Sequence, residues 1–472
     1  MHYPWWYVPF LTSPMLIAIV AVMHVIVSHY AVGGGFFLAV ETQYAYRTHD
    51  RDYLAYLQEH AWFFILVTVA YGAITGVGIW WTIGLASPLA TEMLIHIFVF
   101  GWAIEYVFFI VEIASAFIFF YYWGRLDPKT HRIIGWIYAI SAWISLVLIT
   151  GITAFMLHPG AWPQDQNFWT GFFNPQFVPQ VLARTGGSFL LASLYVYLHA
   201  AFKIKDPELC RLVESHSTRP ALLGALLVVL GGVGWYLFLP ESAQAALAAA
   251  SVLNVLMVLI FAITAAVFVM LYLGPYRNPG WLSPGFAILF LALGFAAVTT
   301  GEYIREAVRK PYIIYNVVMS TQILPEEIPI LRRVGYLEGG TWTRAFVAAR
   351  YPHLMREGGI DEPRLLALPE ADQVRLGEVL FQYACNNCHA LTQGYSPVAH
   401  LIRGWTPQMI RMVVLQPERI HFFMPPWAGT REEAELLTKY LVTLAPPHPA
   451  GMYYGNGRMP AESPEEIPTP RR

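Results

Sequence analysis

The chain has 472 residues, a formal net charge of −2, 56% hydrophobic residues and only 13% charged residues. That balance is too apolar for an ordinary soluble domain, and the lack of a basic stripe argues against nucleic acid as a partner. Three cysteines, two of them in one short motif, exclude a disulfide framework.

The amino terminus, Met1-His2-Tyr3-Pro4-Trp5-Trp6, lacks the basic segment and cleavage site of a signal peptide. The first apolar stretch is therefore expected to serve as an uncleaved insertion signal. Apolar stretches recur at about 13–43, 60–86, 92–123, 133–157, 182–205, 220–240, 245–273 and 282–303, each long enough to cross a bilayer. Residues 1–303 thus read as an all-α polytopic membrane helix bundle without an internal repeat.

Charge in the loops sets the orientation. Arg47 and Arg51 follow span one, and Arg125, Lys129 and Arg132 follow span three. Lys203, Lys205, Arg211 and Arg219 follow span five, and Arg277 follows span seven. The alternate loops hold no Lys or Arg. Positive charge marks the cytoplasmic side, so both termini are expected on the outer, periplasmic side of the cytoplasmic membrane.

Titratable groups inside hydrocarbon are costly and are usually functional. Span one carries His24, His29 and Glu41; span three carries His96, Glu105 and Glu112. Span five carries Arg184 and His199, and span eight ends with Glu302, Arg305 and Glu306. Glu105 and Glu112 are two helical turns apart and share a face. His24 is expected at a depth similar to Glu105. An imidazole opposite paired carboxylates suits a haem site with a proton route: imidazole binds iron, and carboxylates bind it weakly or relay protons. The alternative is that these groups only bond one another in the bundle core.

Residues 304–368, rich in Pro, Gly and mixed charge, read as a periplasmic linker on the outer membrane surface. A small helical domain is expected over 369–447, followed by a Pro-rich tail at 448–472. Pro369 to Ala384 reads as a helix leading into Cys385-Asn386-Asn387-Cys388-His389. This is C-x-x-C-H, the attachment sequence of a c-type haem: two thiols for the vinyl groups and an imidazole for the iron. Zinc would need further Cys or His at a matching spacing, and Cys210 is remote. Covalent haem attachment occurs outside the cytoplasmic membrane, which agrees with the loop charges. Met424, before Pro425-Pro426, is the candidate second axial ligand, with Met409 and Met412 as alternatives on a short periodic segment. Imidazole with thioether suits a low-spin, electron-transferring iron. Thr430 to Leu444 reads as a closing helix, with Thr430 as N-cap and Glu432 and Glu433 in its first turn.

The stretch 369–447 resembles a class I cytochrome c. The bundle resembles subunit I of the cytochrome bd oxygen reductases over about residues 10–320. The likeness rests on Met23-His24 and Gly33 to Glu41-Thr42 in span one, and on Ile104-Glu105, Glu112, Phe119-Phe120 and Trp123-Gly124-Arg125-Leu126 in and after span three. Gly301-Glu302-Tyr303, Glu306 and Arg309-Lys310-Pro311-Tyr312 continue it in span eight. The resemblance implies that His24 is an axial ligand of a buried haem, and that Glu105 and Glu112 serve the same centre as ligand or proton carrier. It implies haem b, with or without haem d, in the bundle, and a second membrane subunit as partner within the lipid.

Four departures shape the expectation. The long quinol-binding loop after span six is reduced to Pro240-Glu241-Ser242-Ala243-Gln244. The histidine expected early in span five is missing, with Pro179, Gln180 and Arg184 there instead, and Met257 is a weak match for its methionine partner. Thr299 stands where a haem-ligating glutamate is expected; Glu302 is one turn away and could substitute. The ninth span is replaced by the cytochrome-like domain. The expected function is electron transfer from a periplasmic cytochrome c or other donor, through the covalent haem, to a buried haem that reduces dioxygen. The alternative is an electron-relay or anchor subunit, passing electrons between a periplasmic enzyme and quinone or another cytochrome, without oxygen chemistry.

Overall fold

The computed structural model describes residues 5–445; the Pro-rich tail expected at 448–472 lies outside them. Among the described residues, eight helices are long and apolar enough to cross a membrane: Ser13–Thr48, Arg51–Ala86, Val99–Tyr121, Pro128–Phe155, Phe177–Lys203, Pro207–Leu237, Ser251–Tyr276 and Pro284–Ala307. They are numbered one to eight below. Each expected span is present. Spans two and six begin earlier than hydropathy suggests, because Asp50 and Asp206 cap polar first turns. Span three begins later. The helix Pro88–Ile97 ends at Phe98, whose backbone leaves helical geometry, and the span restarts at Val99.

Span one is the hub, and three consecutive glycines explain how. A Cβ at Gly33 would collide with the Ser188 carbonyl of span five. One at Gly34 would meet the Phe64 ring of span two at 2.8 Å, and one at Gly35 would strike the Tyr138 ring of span four. Successive residues on a helix point about 100° apart, so three bare positions admit three neighbours. In span two, Leu66–Tyr71 is a π-helical turn. Its extra residue rotates everything beyond it, so His60 and Thr75 face different parts of the bundle.

The stretch expected as a linker is folded. Tyr312–Ile314 and Val318–Met319 form an antiparallel hairpin, with Ile314 opposite Val318. Met319, Ile323, Leu331, Tyr336, Trp342, Val347, Tyr351, Leu354 and Leu365 share one core with Leu376, Leu380, Tyr383, Trp427, Leu437 and Leu441. The carboxyl-terminal domain therefore draws on residues well before 369. Its outer helices, Glu370–Ala384 and Arg431–Leu444, cross at Gly377, where a Cβ would strike the Leu436 carbonyl and lie 2.7 Å from Tyr440 Cβ.

This domain sits on the bundle end away from the basic loops. Gln322 Oε1 accepts from the Leu89 and Ala90 amides, and the Tyr315 amide donates to the Met156 carbonyl. The chain's first described residues join in. Trp5 packs on Tyr383 with ring centroids 4.5 Å apart, and the Tyr395 amide donates to the Phe10 carbonyl at 2.7 Å.

Candidate haem sites and the junction between them

The helix Glu370–Ala384 ends at Cys385, and a tight turn follows. The Cys388 and His389 amides both donate to the Cys385 carbonyl, at 3.0 and 3.1 Å, which gathers two thiols and one imidazole at the helix end. The thiols are free. Burial pushes Cys385 up to about 12 and raises Cys388 as well. Catalytic redox dithiols carry the opposite shift. The His389 ring places Nδ1 3.0 Å from the Ser396 carbonyl. That contact orients the ring and leaves Nε2 for iron. Met424 is half-buried in the turn after His421, whereas Met409 and Met412 are exposed on the helix Pro407–Leu415. Two thiols and an adjacent imidazole fit a covalent haem, which Cys385, Cys388 and His389 would hold, with Met424 as a candidate thioether donor.

The site meets the bundle through Phe423 and Tyr395, and its attachment turn is tied to the hairpin that precedes the domain. Phe423, beside Met424, packs into a cluster with Leu239, Leu253, Ile304 and Val308 from the ends of spans six to eight. Asn387, inside the motif, donates through Nδ2 to the Ser320 carbonyl at 2.7 Å. Tyr395 and Tyr303 bring their hydroxyls within 3.4 Å.

Charge is concentrated below that junction. Arg305 pairs with Glu302 at 2.7 Å, Lys310 pairs with Glu306 at 2.9 Å, and Arg309 also pairs with Glu306. Arg184 and His29 lie within electrostatic reach of Glu302. Four cations thus face two carboxylates, an excess of positive charge, and the buried Arg309 keeps an unpartnered Nε. Glu302, expected as a possible iron ligand, is engaged by Arg305. Thr299 bonds the Phe295 carbonyl of its own helix.

Inside the bundle, Ser145 donates to Glu105 at 2.6 Å, and the Tyr138 hydroxyl lies 3.4 Å from Glu112 and 3.0 Å from the Ala31 carbonyl. Both pairs fall in one antiparallel register of spans three and four. His24 Nδ1 lies 3.1 Å from Thr75 Oγ1, and a Cβ at Gly76 would come 3.1 Å from its ring. The Thr75 contact orients the ring, as the support of a metal-binding imidazole would. Among the described residues no hydrogen bond or ion pair joins His24 to either glutamate: His24 packs on span two, the carboxylates on span four. Sequence reasoning missed Ser396, Tyr138 and Ser145. Only the last pair left a signal, since the seven-residue interval between Tyr138 and Ser145 repeats that between Glu105 and Glu112.

A family model described as cytochrome bd terminal oxidase subunit I matches residues 13–251. The chain belongs to that family. A second model, cytochrome c oxidase, cbb3-type, subunit III, matches residues 372–441. Among solved structures, the bd oxidase from Geobacillus thermodenitrificans is similar, with 19% identity and a TM-score of 0.56 over 65% of this chain and 88% of that one. Comparison with curated proteins gives no match. The chain is therefore a multi-pass, haem-binding membrane oxidoreductase of the bd family that carries a cytochrome c domain.

Proposed function

We propose that this subunit takes electrons from a periplasmic cytochrome c or similar donor and delivers them to a buried haem that reduces dioxygen. The packing of Phe423, beside Met424, on the ends of spans six to eight, with the approach of Tyr395 to Tyr303 of span eight, carries this reading, because it brings the carrier domain against the bundle. In this reading Cys385 and Cys388 hold the covalent haem, His389 Nε2 and the Met424 sulfur bind its iron, and His24 Nε2 binds the buried haem, of b or d type. The bound haems supply the redox chemistry. The excess of cations around Arg184, Arg305, Arg309 and Lys310 suits haem propionates, which would otherwise be buried anions without partners. Glu112 and Glu105, held by Tyr138 and Ser145, carry protons toward the same centre. The loop charges support placing the cytochrome domain on the periplasmic side, and a second membrane subunit is expected to cover the lipid-facing spans. The pairing of Glu302 with Arg305 favours a second reading, a relay subunit with no oxygen chemistry.

Carbon monoxide separates the two. The reduced protein should bind it at a buried high-spin haem, and His24→Ala should abolish that signal and oxygen uptake while leaving the c-haem bands. Retained uptake in the variant, or no carbon monoxide binding in the parent, would reject the oxidase reading.

A further inference from the structure

Three polar atoms in the half of the bundle nearer the basic loops have no hydrogen-bond partner among the described residues, and they belong to one cluster: Tyr56 Oη, His60 Nδ1 and His199 Nδ1. Tyr56 and His60 lie one turn apart on span two, and His199 lies on span five. Their exposures are 5%, 0% and 7%. The His60 and His199 rings are 4.9 Å apart, and Tyr56 lies 5.5 Å from His199 and 5.9 Å from His60. A buried polar atom left unpaired carries a desolvation penalty that native cores normally avoid. Three in one aromatic cage are a poor way to build a core and a good way to hold a few internal waters. His131 shows the contrast: equally buried, it satisfies both nitrogens, against Tyr46 and the Phe119 carbonyl.

Hydrogen-bonding groups continue from the cluster in both directions. Toward the basic loops, partly exposed His216 lies 2.7 Å from Glu41, the Tyr53 hydroxyl donates to the same carboxylate oxygen at 2.8 Å, and the Tyr53 ring lies parallel to Tyr56 at 6.3 Å. Toward the bundle centre, the buried Tyr30 hydroxyl lies 3.1 Å from His60 Nε2. The Tyr30 and Tyr138 rings both pack edge-on against Phe64, and Tyr138 reaches Glu112.

We infer that Tyr56, His60 and His199 form a hydrated proton relay leading from the basic-loop face toward Glu112. An imidazole that accepts a proton on Nδ1 and releases one from Nε2 moves charge across its own ring. His60 passes a proton to Tyr30 in this way, Tyr30 releases its own onward, and the starting tautomers return as the groups reset. One proton enters at His216 and Glu41, one leaves toward Tyr138, and no other bond changes. This inference rests on the oxidase reading for its purpose, because oxygen reduction consumes protons, but its structural half is separable.

Imidazole C2 hydrogen–deuterium exchange, read by mass spectrometry on the full-length holoprotein, tests that half. Exchange at His60 and His199 should run at least several-fold faster than at His131, because water reaches them; rates as slow as His131 would overturn the relay. Tyr56→Phe should slow that exchange and lower oxygen uptake by about tenfold with unchanged haem spectra. Uptake equal to the parent in both Tyr56→Phe and His60→Asn proteins would also overturn it. A non-haem transition metal lost on His60→Asn substitution would overturn it in favour of a metal site. A parent protein that takes up no oxygen would defeat the oxidase reading and leave the exchange comparison to decide the relay.

Discussion

Glu433 joins two parts of the carboxyl-terminal domain, and its titration should be visible in the domain's stability. Its carboxylate accepts the Tyr336 and Leu337 amides at 2.8 and 2.6 Å, just past the kink where Gly335 adopts a positive φ of 82°, and the Thr430 amide at 3.1 Å. The side chain is fully buried. Burial pushes it from 4.5 up to about 7, against the three amides, which favour the charged form. Between those values the native state holds a proton that the unfolded chain has lost. Stability therefore falls as pH rises through that window and levels off above about 7. At ~1.4 kcal/mol per pH unit the loss is about 3 kcal/mol. Guanidinium unfolding of the detergent-solubilised protein, followed by c-haem absorbance from about pH 5 to 8, should show this slope. Glu433→Gln should lack it, and should cost about 2 kcal/mol at the acid end because an amide NH2 then faces backbone donors. Parallel pH curves for the two proteins would refute the reasoning and mean that the three amides outweigh burial.

Replacing Gly33 by valine sets a side chain against the Ser188 carbonyl, so spans one and five must part. A stability loss of about 1–3 kcal/mol or more is expected, read as a lower melting temperature in detergent. Gly377→Val wedges the crossing of the first and last helices of the cytochrome domain, and should lower the c-haem unfolding midpoint while leaving the bundle haem spectrum unchanged. Met424→Ala should convert the c haem toward high spin; an unchanged spectrum would assign the ligand to Met409 or Met412.

What the sequence discloses and what it withholds divide along a physical line. Features carried by one element were legible: eight apolar stretches became eight spans, and C-x-x-C-H became a turn that presents its own ligands. Contacts closed between distant elements were not. Residues 304–368 look like a linker because their apolar positions are scattered, yet Trp342, Val347 and Leu354 complete a core whose other half lies beyond residue 370. Glu433 reads as an ordinary first-turn acid, and only the fold brings the Gly335 kink onto it. The depth of His24, Glu105 and Glu112 can be counted along a helix, but the lean of His24 on Thr75 and Gly76 could not be foreseen, because azimuth depends on which neighbour the glycines admit. The Gly33–Gly35 run was the available clue: where three helices must approach one, the faces they meet decide which titratable groups become partners.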